Sequence, residues 1–162
     1  MTTVIHDLSP QRLAELSKVF RSESAVVAAW LFGSVAQGRA TPLSDVDFAV
    51  LLRPNSPQGL DRFVLLDRLA NALADLLGIS DQSIDVIPLN DQGVLFQHSV
   101  LRTGRLVYET DPRARALFVS SVLRRYFDFR PTVAIFDVAS RRQRAAIPSV
   151  DSERRGSKDL AQ

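Results

Sequence analysis

The chain has no cysteine, and its two histidines, His6 and His98, are far apart in the sequence. Neither a disulfide framework nor a thiolate metal site can form without cysteine, so zinc chemistry is effectively excluded. No apolar run approaches the roughly 20 residues that a membrane span needs. The first residues, MTTVIHDLSPQR, lack the basic start and apolar centre of a secretion signal. We therefore expect a cytoplasmic protein that makes no contact with membranes.

Charge is plentiful but unevenly distributed along the 162 residues. Residues 1–110 carry 9 Arg and Lys against 12 Asp and Glu, whereas residues 111–162 carry 11 against 6. The basic C-terminal third is consistent with a solvated helix and tail, and also with a surface that docks an acidic protein or nucleic acid. Because 46% of the residues are apolar, the chain can bury a core, and its length is that of one domain.

Hydrophobic patterning predicts alternating helices and strands. Ser9 followed by Pro10 is typical of a helix start, and this first helix is predicted to end near Ser22. Short apolar runs predict buried strands, and apolar stripes at helical spacing predict the helices between them. The predicted strands are 25–32, 46–52, 83–89 and 105–109, and the predicted helices between them are 60–77 and 93–103. This alternation predicts an α/β domain with helices packed on a mixed sheet.

Further helices are predicted towards the C-terminal end. One follows Asp111 as its cap and runs to about Tyr126, and a last one starts near Pro131 or the residue after it. The remaining sequence is polar, charged and without periodicity. We therefore predict one folded domain over residues 1–146, including the C-terminal helices, and a flexible polar tail over residues 147–162.

The stretch LFGSVAQGRATPLSDVDFAVLL joins two predicted strands and carries a specific pattern of small and acidic residues. Gly33 and Ser34 end the first strand, and Asp45 and Asp47 follow after ten intervening residues. Because alternate side chains of a strand share one face, the two carboxylates project together. Paired like charges are unfavourable unless a cation joins them, and oxygen-only ligands favour magnesium or manganese.

A third carboxylate, Asp85, comes from the predicted strand SIDVI, on the face opposite to its apolar neighbours. Three aspartates on neighbouring strands can hold two divalent ions about 4 Å apart, which activates an attacking oxygen and stabilises a leaving phosphate. Gly33 allows close approach of the backbone, and Ser34 offers a hydroxyl and N–H groups to the phosphates of a nucleotide. The pattern therefore predicts phosphoryl or nucleotidyl transfer, with the three aspartates as metal ligands and catalytic residues.

This pattern resembles that of the nucleotidyltransferases in which a Gly-Ser pair stands ten residues before Asp-x-Asp, a group within the DNA polymerase β superfamily. Among them the chain is similar to the minimal MNT-type antitoxins that partner HEPN toxins, over about residues 26–131, including the runs LVYETDPRARALF and YFDFRP. The resemblance implies a polymerase-β-like nucleotidyltransferase fold. It also implies that the Gly-Ser pair binds the triphosphate and that the three aspartates bind magnesium.

The same resemblance implies a reaction and a partner. AMP would pass from ATP to a tyrosine of a HEPN toxin and silence the RNase activity of that toxin. The residues leave two other functions open: nucleotidyl transfer to a small molecule such as an antibiotic, and an inactive antitoxin that acts by binding alone. We expect ATP as the substrate with two magnesium ions, or manganese in their place, and we expect no direct binding of nucleic acid.

Some residues depart from that family or have a structural interpretation. Many members carry Arg-Gly where this chain has Gln37 followed by glycine, and Arg39 comes one position later. Pro88 lacks the N–H that a central strand needs, so the third predicted strand should end or bulge there. Trp30 and Phe32 are predicted to pack in the core rather than to stack on a base.

Overall fold

A computed structural model describes residues 9–41 and 44–145, with the side chains of these ranges as far as Phe129. It confirms the predicted alternation of helices and strands, with boundaries within one or two residues of those predicted as far as the fourth strand. Two short 3-10 turns, Asp81–Ser83 and Leu89–Asp91, flank the third strand. The elements in chain order are α1 Pro10–Arg21, β1 Val26–Phe32, α2 Gly33–Ala36, β2 Val46–Leu52, α3 Gly59–Leu77, β3 Ile84–Pro88, α4 Val94–Thr103, β4 Arg105–Glu109 and α5 Pro112–Ala145.

The four strands form one mixed sheet in the order β3-β2-β1-β4. β1 is antiparallel to both of its neighbours, β2 and β4, whereas β2 and β3 run parallel. β3 is an edge strand and ends at Pro88, as predicted, because a proline without an N–H is tolerated at a sheet edge. The predicted mixed α/β sheet with packed helices is therefore confirmed.

The sheet has two differently covered faces. Val46, Phe48 and Val50 of β2 lie on the face that packs against α1 and α3. The alternate residues Ala49 and Leu51 lie on the other face, which packs against α4 and the start of α5. Because side chains alternate across a strand, Asp47 projects from this second face, and its side chain is half-buried there.

Local signals in the sequence fix the helix ends. The hydroxyl of Ser9 accepts a hydrogen bond from the backbone N–H of Arg12 at 3.3 Å and caps α1. Asp111 caps α5 in the same way, with its Oδ1 accepting from the N–H of Ala114 at 2.9 Å. α3 ends at Gly78, whose φ of 66° is the left-handed conformation that a helix C-cap often requires.

A buried polar network connects α4 to the loop before it and to α5. Gln97 is only 1% exposed, and its Nε2 donates to the carbonyl oxygen of Leu89 at 2.9 Å. Its Oε1 accepts from Nη2 of Arg125 at 2.8 Å. The side chain of Asn90 pairs with both the N–H and the C=O of Leu52, as a neighbouring strand would. These bonds hold α4 and α5 against the end of the sheet where β2 and β3 finish.

The C-terminal end differs from the prediction of two helices. The structure gives one helix, α5, of 34 residues from Pro112 to Ala145, with Pro131 inside it. A proline inside a helix removes one hydrogen bond, which is the reason for the predicted break, but here the helix continues on both sides of it. The chain divides into two compact units, Met1–Tyr126 and Phe127–Gln162, and the first contains the sheet.

Two predictions remain to be compared with the structure: the bounds of the folded domain and the absence of a membrane-spanning segment. The predicted polar tail, residues 147–162, lies outside the described residues, and the single domain over residues 1–146 stays a prediction. No helix within the described part of the chain combines the length and the apolar character that crossing a bilayer demands.

Candidate active site

Two of the three predicted aspartates stand side by side on neighbouring strands. Asp47 of β2 is the register partner of Asp85 of the parallel strand β3, so their side chains leave the same face of the sheet. Asp47 is half-buried and Asp85 is exposed. Asp45 immediately precedes β2 and is also exposed. The fold therefore gathers the predicted carboxylates at one end of the sheet.

The electrostatics of Asp47 reflect this crowding. Its pKa is raised, first by burial, which penalises the charged carboxylate, and then by the negative charges of Asp85 and Asp45. Asp47 is thus close enough to both Asp85 and Asp45 for their charges to act on it. A cation between them would relieve the repulsion and favour the ionised form of Asp47.

Gly33 is in direct contact with the carboxylate of Asp47. A Cβ added at Gly33 would lie 2.1 Å from Oδ2 of Asp47 and 3.1 Å from its Cγ. The φ of Gly33 is +74°, a conformation that glycine adopts without penalty. Glycine is therefore required here both for the backbone conformation and for the space that the carboxylate occupies.

Ser34 lies in the short turn of helix that follows β1. This turn, α2, is four residues long, and Ser34 is half-buried within it. The carbonyl oxygen of Ser34 accepts from the N–H of Arg39 at 2.9 Å, and that of Val35 accepts from Gly38 at 3.1 Å. These bonds fold the chain back towards β2 and hold Ser34 beside the carboxylate end of the sheet. The guanidinium of Arg39 hydrogen-bonds to Oε1 of the exposed Gln37.

The donor chemistry of this end of the sheet fits a divalent cation that a nucleotide helps to hold. Among the side chains described, those of residues 9–41 and 44–129, no three His, Cys, Asp or Glu stand close enough to enclose an ion by themselves. Magnesium, however, is commonly bound by one or two carboxylates together with substrate phosphates. Asp47, Asp45 and Asp85 supply carboxylate oxygens as ligands. The side chains of Asp45 and Asp85 are exposed, so they have room to change rotamer around an ion. The residues therefore fit magnesium or manganese with ATP phosphates, rather than a closed protein cage.

The structure confirms the predicted core position of one aromatic residue near the site and corrects that of another. Trp30 is buried against α4, as predicted. Phe32 is only half-buried, and its ring meets Phe96 of α4 edge-on, with 5.5 Å between the ring centroids. The sequence did not single out Phe96, because its proximity to Phe32 depends on how α4 packs on the sheet.

Comparison with known proteins assigns the family. The family model described as Polymerase beta, Nucleotidyltransferase matches residues 14–113. The chain belongs to this family. The matched range contains the Gly-Ser pair and all three aspartates, so the family predicted from those residues is confirmed. The polymerase-β-like fold is confirmed with it.

A curated protein adenylyltransferase is similar to part of this nucleotidyltransferase. Protein adenylyltransferase MntA of Aphanizomenon flos-aquae (strain 2012/KM1/D3) is 36% identical over 87 residues, which are 49% of this chain and 54% of that protein. The chain thus spans about half the length of the curated relative that it matches.

Two solved structures share the fold of this nucleotidyltransferase. One, described as the crystal structure of the toxin-antitoxin with AMP-PNP, has a TM-score of 0.61 at 24% identity, covering 79% of this chain and 98% of that chain. The other is the tri-AMPylated Shewanella oneidensis HEPN toxin in complex with MNT antitoxin, with a TM-score of 0.57 at 21% identity and coverage of 80% and 97%. Similarity at these identities shows a common fold.

Ser34→Ala tests whether the hydroxyl binds phosphate. We expect ATP to bind about 10- to 150-fold more weakly, because a hydrogen bond to a charged group contributes about 1.5–3 kcal/mol. Calorimetric titration with ATP, ADP and AMP should show the largest loss for ATP. Ser120→Ala, which removes a hydroxyl bonded within α5, is the control and should bind like the wild type. An unchanged affinity of Ser34→Ala for ATP would exclude the predicted contact.

Proposed function

We propose that this protein transfers AMP from ATP to a tyrosine hydroxyl of a HEPN-type toxin and thereby neutralises that toxin. The observation that carries the proposal is the half-buried Asp47, crowded by Asp85 and Asp45 and in contact with Gly33. A protein that only binds a partner gains nothing from this repulsion. A transferase gains a site for the cation and the phosphates of its substrate.

The reaction that fits the site is in-line attack of the acceptor oxygen on the α-phosphorus of ATP. A P–O bond to the acceptor forms, the bond between the α-phosphorus and the bridging oxygen breaks, and pyrophosphate leaves with that oxygen. Divalent ions, when bound, lower the pKa of the acceptor hydroxyl and neutralise charge on the phosphates. Asp45 and Asp47 would hold these ions, and exposed Asp85 would orient the acceptor hydroxyl and receive its proton. Ser34 would hold the outer phosphates.

The choice of a protein acceptor rests on the relatives and on the form of the site. The curated relative is a protein adenylyltransferase, and solved structures of the same fold are toxin–antitoxin complexes, one with a tri-AMPylated HEPN toxin. Asp85 and Asp45 are exposed at the end of the sheet, where a side chain of a docked protein can reach them. The basic charge of the C-terminal third would favour an acidic partner surface.

A transfer assay tests the proposal. The purified protein is incubated with magnesium chloride, ATP labelled on the α-phosphate and a cognate HEPN-type toxin. We expect the toxin to gain label and to lose RNase activity, and a toxin variant with phenylalanine in place of the acceptor tyrosine to gain none. The control with ATP labelled on the γ-phosphate should leave the toxin unlabelled, because pyrophosphate departs.

The same assay separates the two other functions. Label on an aminoglycoside or another small hydroxyl compound, with none on the toxin, would indicate a small-molecule transferase. Inhibition of the toxin without label, and without any need for ATP, would indicate an antitoxin that acts by binding alone. Either result overturns the proposed transfer.

A further inference from the structure

An aromatic pair lies directly beside the catalytic carboxylates. Phe32, the last residue of β1, is the antiparallel register partner of Asp47, so both side chains leave the same face of the sheet. Phe32 also immediately precedes Gly33 and Ser34. Phe96 meets the Phe32 ring in a nearly perpendicular arrangement, at an interplanar angle of 87°. The pair is therefore adjacent to both halves of the phosphate and metal site.

The structure leaves the ring of Phe96 partly open to solvent. Phe96 is 37% exposed, whereas two other residues of α4, Gln97 and Val100, are 1% and 2% exposed. Burying an aromatic side chain removes about 150–250 Å² of surface from water, so leaving one partly open forgoes a substantial stabilisation. The exposed part of Phe96 is available to a ligand.

The end of α4 places polar groups close to this aromatic pair. A Cβ added at Gly104, the residue after α4, would lie 3.5 Å from Cβ of Phe32 and 3.2 Å from the carbonyl oxygen of Leu31, so the helix end packs closely on β1. Nε2 of the exposed Gln37 lies 3.5 Å from Oγ1 of the half-buried Thr103, whose hydroxyl donates to the carbonyl oxygen of Ser99. The amide of Gln37 thus stands beside the end of α4 and can hydrogen-bond to the edge of a base.

We propose that Phe96, supported by Phe32, is the stacking platform for the base of the nucleoside triphosphate. This assignment rests on the proposed function, because it takes the carboxylates and the Gly33–Ser34 turn as the phosphate site. One ribose separates the α-phosphate from the base, so a base bound to this nucleotide must rest close to the carboxylates. Phe96 offers an exposed aromatic surface in contact with Phe32, which pairs with Asp47 in the sheet, and stacking suits any base because every base has a π-face.

Nucleotide binding by Phe96→Ala tests this site. Binding of α,β-methylene ATP, which cannot transfer its adenylyl group, is measured by calorimetry in magnesium chloride, beside tripolyphosphate, which has phosphates but no base. We expect Phe96→Ala to bind the nucleotide about 5- to 150-fold more weakly and tripolyphosphate unchanged. Phe96→Trp should restore nucleotide binding. Leu95→Ala is the matched control, because Leu95 is a similarly exposed apolar neighbour on α4, 45% exposed, and it should bind like the wild type.

The other outcomes contradict the base site, the proposed function or both. Equal losses for the nucleotide and tripolyphosphate would mean that Phe96 supports the fold or the phosphate site rather than the base. Unchanged nucleotide binding, with a raised KM for the protein acceptor, would make the aromatic pair an acceptor contact. If the wild type binds neither probe, the proposed function fails as well. If the base site behaves as expected while no partner is labelled, only the proposed function fails.

Discussion

Asp47→Asn should lower label transfer by about 100-fold or more while the protein stays folded. Asp47 is the carboxylate on which the charges of both Asp85 and Asp45 act, so in the proposed site its loss removes a ligand charge for the metal. Losses of this size are typical when one electrostatic group that stabilises the transition state is removed. The measurement is single-turnover transfer of labelled AMP, with circular dichroism as the check on folding. Asp75→Asn, a change at an exposed carboxylate of α3, should transfer at the wild-type rate.

The same variant should be more stable than the wild type at neutral pH when EDTA removes divalent ions. Because the pKa of Asp47 is raised in the folded protein, the unfolded chain ionises this group first, at a pH of about 3.9. The resulting penalty on the folded state is absent below that pH and complete above the folded pKa. The Tm advantage of Asp47→Asn should therefore shrink as the pH falls towards 4. Equal or lower Tm values for the variant at neutral pH would contradict the electrostatic origin.

Gly33→Ala should damage both stability and transfer. A methyl group at this position would stand 2.1 Å from Oδ2 of Asp47, so the carboxylate must move aside. The backbone φ of +74° adds about 1–2 kcal/mol of strain for a residue with a Cβ, or a Tm loss of about 2–8 °C. Displacing a catalytic group by about 1 Å can cost about 100-fold in rate, and we expect a loss of that size in label transfer.

A matched glycine separates strain from displacement. Gly78 has a φ of +66°, and a Cβ there would meet nothing within 4 Å, so Gly78→Ala should lose stability but keep the wild-type transfer rate. Adding Asp47→Ala to Gly33→Ala should remove the collision, leaving a stability cost similar to that of Gly78→Ala. If Gly33→Ala transfers AMP as fast as Gly78→Ala, the contact with Asp47 has no catalytic consequence.

Local features of the sequence predicted most of the fold. The sequence predicted the helix caps Ser9 and Asp111 and the strand end at Pro88, because each of these features depends on a few neighbouring residues. The pairing of Asp47 with Asp85 was also foreseeable, since both lie opposite apolar neighbours on buried strands. The site residues themselves stay predictions, but the structure brings Gly33 and the aspartates to one end of the sheet.

Features that depend on tertiary packing were not predicted. The sequence assigned Phe32 to the core and passed over Phe96, because their contact joins the end of β1 to a helix more than 60 residues later. The sequence gives no sign that Gln97 is buried. Its side-chain amide can be buried because it hydrogen-bonds to Arg125 and to a backbone carbonyl. Pro131 predicted a helix break where α5 continues, since the propensity of one residue does not fix the boundary of a long helix.

The side chains of β2 alternate between the face that packs on α1 and α3 and the face that carries Asp47. This alternation connects catalysis with the proteolysis of misfolded molecules. Val46, Phe48 and Val50 pack against α1 and α3, and Asp47 lies between the first two on the opposite face. If β2 paired with β1 one residue out of register, every side chain of β2 would move to the opposite face. The Asp47 carboxylate would then lie between the sheet and the helices α1 and α3, and the three apolar side chains would lie on the face of the active site. Such a molecule would be unstable and a substrate for cellular proteases, because a buried unpaired carboxylate is costly. Proteolysis that recognises only unfolding would therefore also remove molecules with a misassembled active site.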